Sequence, residues 1–196
     1  MKIRVIGDIH ADYNFYRSVI KDCENSIQVG DFGIGFKKDD FKRSENHKFL
    51  RGNHDNPHLC KEHKLCIPDG TMHNDIFCVG GGWSIDRAWR TEGIDWWTEE
   101  ELSITECNEV INRYEEEKPE IVISHEGPYE MIFRMFHDHK MLPPSRTSEM
   151  LEAMFKIHQP KEWYFGHWHL DRQIDYEGTM FRCLGITANS YVDIVT

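Results

Sequence analysis

Five short apolar stretches punctuate the chain: KIRVI, NSIQV, HKFLR, EIVI and EWYF. Each has the length and the β-branched or aromatic character of a strand. The first predicts a strand over 2–6, the second over 26–29 and the third over 48–51. Between and after them the pattern predicts helices at about 12–22 and 56–62, then strands near 64–67 and 75–80. Thr98 and Glu101 have the Ser/Thr-x-x-Glu spacing of a capping box, so a helix is expected from there to about Glu117, where Pro119 stops it. Strand 120–124 follows at once, which makes this helix a crossover returning to a sheet. Residues 128–159 read as a helical insert, with helices at roughly 129–136 and 148–158. The final third returns to strands. Segments 173–176 and 179–184 flank Glu177-Gly178, a hairpin signal, and a last strand is expected near 190–195. The alternation predicts an α/β domain with layered sheets. No repeat, low-complexity tract or linker interrupts it, so a single domain over 1–196 is expected.

Each of the five stretches ends in polar residues of one kind. They read Gly7-Asp8-Ile9-His10, Gly30-Asp31-Phe32-Gly33, Gly52-Asn53-His54-Asp55, Ser124-His125-Glu126 and Gly166-His167-Trp168-His169. In open α/β sheets ligands bind beyond the carboxyl ends of the strands. Asp8 and His10 are two residues apart, so in an extended segment both project to one side, and so do His167 and His169. Taken singly, each cluster has a plain structural reading: a turn aspartate, an Asx-type turn or a core histidine. Taken jointly, Asp, Asn and His at five strand ends point to a metal site. The amide oxygen of Asn53 suits a harder cation. Mixed carboxylate, amide and imidazole donors fit Mn²⁺ or Fe²⁺, and accommodate Zn²⁺. None of these clusters contains cysteine, which disfavours a structural zinc site.

The formal net charge of −11 argues against an extended nucleic-acid or anionic-membrane surface. It does not exclude a small phosphorylated ligand, because bound cations reverse the sign locally. No apolar run reaches the length of a membrane span and no signal-peptide pattern is present. The six cysteines include no Cys-x-x-Cys pair. Cys60 and Cys66 flank a basic, His-containing stretch that has a zinc-knuckle reading, but a reducing, cytoplasmic setting is the plainer expectation.

The five motifs, in this order, resemble those of the calcineurin-like metallophosphoesterases: Gly-Asp-x-His, Gly-Asp, Gly-Asn-His-Asp/Glu, a lone His, then Gly-His-x-His. The resemblance runs from residue 7 to residue 169. It implies two packed mixed β-sheets flanked by helices, a four-layer sandwich, with a binuclear centre of two divalent metal ions. Asp8, His10, Asp31 and His169 would hold one metal; Asp31, Asn53, His125 and His167 the other. His54 would lie beside the metals as the acid for the leaving oxygen, and Asp55 would orient His54 or brace the loop. The implied activity is hydrolysis of phosphate monoesters or diesters by metal-bound hydroxide, with small phosphorylated compounds or nucleotides as substrates. A protein Ser/Thr phosphatase and a non-catalytic scaffold of the same fold are the alternatives.

The second motif lacks the Asp-Arg pair of the protein Ser/Thr phosphatases, which weakens that alternative. Arg87 or Arg90 can substitute for the missing phosphate-binding arginine; both can equally cover aromatic surface or pair with nearby acids. Residues 83–97 resemble a Gly-Gly-x-x-Ser-x-Asp-Arg segment of small bacterial and phage metallophosphoesterases. Trp83, Trp89, Trp96 and Trp97 read first as packing or a lid hinge, and second as a stacking platform for a base. His137 and His139 read as part of a solvated loop.

Overall fold

The computed structural model describes residues 1–37, 43–136, 143–187 and 189–196. KIRVI forms β1 (Lys2–Ile6), buried from Ile3 onward. It pairs in parallel with β2 (Ser26–Gln28), which pairs in parallel with β3 (His47–Phe49). The last strand of the chain, called β10 (Tyr191–Val195), runs antiparallel to β1 and completes a four-stranded sheet, β10-β1-β2-β3.

A second sheet has six strands. They are β4 (Thr71–His73), β5 (Ile76–Val79), β6 (Ile121–Ser124), β7 (Glu162–Phe165), β8 (Arg172–Tyr176) and β9 (Thr179–Cys183). Their spatial order is β4-β5-β6-β7-β9-β8, with β5, β6, β7 and β9 parallel and the two edges antiparallel. Every residue of IFCV (β5) and IVIS (β6) is buried, as parallel strands covered on both faces require. The edge strand β8, RQIDY, is largely exposed and carries charges, which discourage edge-to-edge pairing. Its hairpin with β9 turns at Glu177 and Gly178, both left-handed (φ 50° and 84°), the conformation a tight two-residue turn needs.

Residues from both sheets, among them Val5, Ile27 and Leu50 facing Cys78, Ile123 and Tyr164, fill the central core. Helices α1 (Tyr13–Ile20) and α2 (Pro57–Glu62) cover the outer face of the first sheet through Tyr16, Val19 and Cys60. Helices α3 (Ile104–Glu117), α4 (Tyr129–Met135) and α5 (Arg146–Ile157) cover the second through Tyr114, Met131, Leu151 and Phe155, around Trp163. Two mixed sheets flanked by helices form the four-layer sandwich the motifs implied. Among the described residues no helix is long and apolar enough to cross a membrane.

Local reading misplaced two elements. Thr98 does not start a helix: Thr98–Glu100 make one 3₁₀ turn, and α3 begins at Ile104 after its cap, Ser103. Glu100 is the reason. Its carboxylate accepts from the Ser84 N–H (3.1 Å) and its carbonyl from Arg51 Nη1 (2.8 Å), which pins the segment into the core. No strand forms over 64–67. The Phe49 N–H donates to the Leu65 carbonyl and the Ile67 N–H to the Phe49 carbonyl, but the Leu65 N–H turns away to His63 Nδ1 at 3.2 Å, and Pro68, which has no N–H to continue a ladder, follows. A short strand forms instead at 71–73, paired with β5 on the side away from β6, and no sequence pattern marked it.

Candidate metal centre

The strand-end loops hold their side chains through unusual backbone. His10, Asp31, His167 and His169 all have positive φ (43°, 56°, 66° and 57°). Non-glycine residues adopt this region rarely, where surrounding structure over-determines the backbone. The extended alternation expected for Asp8/His10 and His167/His169 is therefore not what gathers them. β1 and β7 end at Ile6 and Phe165, and left-handed residues then turn each loop back over the strand ends. Two glycines give the carboxylates their room. A Cβ on Gly52 would lie 2.0 Å from Asp31 Oδ1, and one on Gly166 2.1 Å from Asp8 Oδ1.

One group comprises Asp8, His10, Asp31 and His169, with one ligand atom of each within 4.8 Å of the others. His10 Nε2 and His169 Nε2 are 2.8 Å apart. His10 Nε2 is 3.7 Å from Asp31 Oδ2, and His169 Nε2 is 3.5 Å from Asp8 Oδ2. A second group converges on Asn53 Oδ1, which lies 2.8 Å from His125 Nε2 and 2.9 Å from His167 Nδ1. Asp31 Oδ1 is 3.6 Å from His125 Nε2, so Asp31 lies between the two groups. Asp8, Asp31, Asn53 and His125 are buried, whereas His10, His54, His167 and His169 open to a cavity.

The chemistry of this donor set fits a cation. Asp8 Oδ1 and Asp31 Oδ2 are buried and have no hydrogen-bond partner among the described residues, an arrangement that is costly until positive charge arrives. Burial, then the charge of Asp31, pushes the Asp8 carboxyl well above the usual carboxylate range. Burial, then Asp55, does the same to Asp31. The imidazoles move the other way. Burial, then His169, lowers His10 to about 4, and burial, then His167, lowers His125 and His169. Neutral imidazoles are the ligating form, and a bound cation would release the carboxyl protons.

Several residues that the sequence did not single out fix these ligands. Glu126 Oε2 lies 3.1 Å from His167 Nε2 and its Oε1 accepts the Trp168 indole N–H at 2.6 Å. His167 Nε2 is thereby engaged and its Nδ1 turns to Asn53. Asn53 Nδ2 donates to Ser84 Oγ at 2.9 Å, and Ser84 donates onward to Glu100. This relay points Oδ1 of Asn53 into the site. The carboxylate beside His125 in Ser124-His125-Glu126 was a signal for Glu126, and Ser84 is the serine of the Gly-Gly-x-x-Ser-x-Asp-Arg segment, though that likeness gave it no role; nothing local marked Glu100.

His54 donates its backbone N–H to Asp31 Oδ1 at 2.9 Å. Burial, then Arg90, lowers its imidazole to about 3. Asp55 accepts backbone N–H groups from Phe32, Gly33, Ile34 and Gly52, at 3.0, 2.6, 2.8 and 2.8 Å. The two arginines part company. Arg90 lines the cavity, with Nη2 3.5 Å from His54 Nε2, and pairs with Asp86. Arg87 stacks on Trp83 at 5.1 Å. Trp83 lines the cavity, Trp97 is buried against Phe36 and Trp89 is exposed. Cys60 and Cys66 form no three-ligand group among the described residues. His137 and His139 lie outside the described residues.

No curated protein matches the chain's sequence. Three of the solved structures similar in fold illustrate the likeness. The protein TT1561 of Thermus thermophilus is 13% identical with a TM-score of 0.55, covering 94% of this chain and 88% of that one. GAP50, described as the anchor in the inner membrane complex of Plasmodium, is 10% identical with a TM-score of 0.52, covering 94% and 71%. A putative 5′-nucleotidase of Staphylococcus aureus is 14% identical with a TM-score of 0.52, covering 100% and 51%. At these identities the likeness is one of fold. The model of the calcineurin-like phosphoesterase family matches residues 1–171 and so spans all five strand-end clusters. The chain therefore belongs to the calcineurin-like phosphoesterases, metal-dependent hydrolases of phosphoric esters.

Proposed function

We propose that the chain hydrolyses phosphate monoesters or diesters of small compounds or nucleotides at a centre for two divalent cations. Asp8, His10, Asp31 and His169 would hold one, and Asp31, Asn53, His125 and His167 the other. The observation that carries this reading is the pair of buried, unpartnered carboxylate oxygens, Asp8 Oδ1 and Asp31 Oδ2, set among imidazoles. The donor set favours Mn²⁺, with Fe²⁺ or Zn²⁺ also accommodated. When bound, such cations supply an activated water and positive charge against the phosphoryl oxygens.

The side chains divide the remaining work. Asp86 holds Arg90 in a two-bond pair, at 2.7 and 2.6 Å, beside His54. Arg90 is thus fixed where it can orient a phosphoryl group. His54 lies beside that position and would deliver a proton to the leaving oxygen. Asp55 keeps the second and third loops in register. The fold neighbour described as a putative 5′-nucleotidase is consistent with a nucleotide-sized substrate.

Chelation should abolish hydrolysis of aryl monoesters and diesters, and Mn²⁺ should restore it. Asp31→Asn should lose activity and retain neither cation on metal analysis. Activity after verified metal removal overturns the proposal, and full metal content with full activity in Asp31→Asn overturns the shared-ligand role.

A further inference from the structure

The cavity over the metal-seeking residues has a volume of about 610 Å³. This lies within the roughly 300–1,000 Å³ typical of pockets that enclose whole small molecules, well beyond what a phosphoryl group fills. The floor is polar, made by His10, Asp31, Asn53, His54, His167 and His169; the walls are mostly apolar. Phe36, Trp83 and Trp168 line it, together with Ile132 and Phe133 from α4. Phe36 and Phe133, which border the site, are 46% and 41% exposed. Trp168 is held rigidly. Its N–H is bound by Glu126, and its ring stacks on Phe136 with centroids 5.2 Å apart and planes 14° apart.

Charge narrows the choice further. Among the described residues lining the cavity, Arg90 is the one permanently cationic side chain, and Asp86 already pairs with it. A chain of phosphates would bring several negative charges to walls whose described residues hold no further permanent cation. An ester with one phosphoryl group and an apolar body would set the phosphoryl on the floor and bury the body against aromatic walls.

We infer that the site selects phosphoesters in which a single phosphoryl group carries a flat, apolar organic body, with Phe36, Phe133, Trp83 and Trp168 as the selecting surface. The inference rests on the hydrolase reading of the metal centre, so its test separates binding from turnover. With Mn²⁺ present, kcat/KM is compared for 2-naphthyl phosphate and phenyl phosphate, whose leaving groups are close in acidity. The added ring should raise it about tenfold from buried apolar area. Phe133→Ser and Phe36→Ser, both at half-exposed positions, should each reduce that ratio about threefold or more. The dissociation constants of 2-naphthylphosphonate and phenylphosphonate, which cannot be hydrolysed at the ester position, should show the same preference by calorimetry. Inorganic triphosphate should compete poorly with either. A naphthyl preference below about threefold in binding, or one unchanged in both variants, overturns the inference. If the phosphonates show the preference but no ester is turned over, the hydrolytic reading falls and the selectivity stands.

Discussion

Asp55 spends both carboxylate oxygens on four backbone N–H groups from two loops. Sequence spacing left it a choice between orienting His54 and bracing the loop, and its contacts are those of a brace. Asn53 shows why such choices are hard to make from sequence. Its type marks it as an oxygen donor, but an amide has two ends, and spacing does not say which end faces the site. Ser84 settles the direction by taking the N–H end at 2.9 Å. Ser84→Ala should free the amide to rotate. Removing such a supporting partner typically weakens metal binding about 10- to 100-fold. Calorimetric titration of the metal-free protein with Mn²⁺ measures this directly, and an unchanged affinity would remove Ser84 from the relay. His167 is arranged the same way by Glu126, which was visible in the sequence as a carboxylate but not as a partner of a histidine in a different loop.

At the scale of elements, two successive Ser/Thr-x-x-Glu spacings, Thr98 to Glu101 and Ser103 to Glu106, compete to start α3. Only the second is used: Ser103 Oγ accepts from the Glu106 N–H at 3.3 Å, and Glu106 Oε2 accepts from the Ser103 N–H at 2.8 Å. The first is lost because tertiary contacts hold Glu100. Ser103→Ala should cost about 1 kcal/mol, or roughly 2–4 °C in melting temperature for a chain of this size. Thr98→Ala should cost much less, and equal losses would contradict the assignment. The hairpin at Glu177-Gly178 and the short apolar runs of β5 and β6 were legible because their signals are local. The short strand β4 was not, since its three residues have neither length nor alternation to distinguish them from a loop.

For the whole molecule, the site should make metal-free stability depend on pH from both sides. His10 and His54 are lowered to about 4 and about 3 by burial first. As pH falls from about 6.5, the unfolded chain takes up protons the folded site refuses, so stability drops. Asp8 and Asp31 are raised, again by burial first. Their contribution is present below the ordinary carboxylate pKa and is lost as pH rises through the folded values. Mn²⁺ should relieve the second loss by replacing those protons. At a free concentration about 100-fold above its dissociation constant it should add about 2.7 kcal/mol. Melting curves across pH, with and without Mn²⁺, check both limbs, and superimposable curves would contradict the account. What the sequence by itself determined was the residue types at each strand end, their order and the layered α/β class. These follow from short-range patterns of polarity and from glycines that admit close approach. Only the tertiary structure decided which loops meet, where Asn53 and His167 point, and that α4 walls the cavity with Ile132 and Phe133. Those features arise from contacts between residues far apart in the chain, where the stabilising partner is not a neighbour and no local pattern can record it.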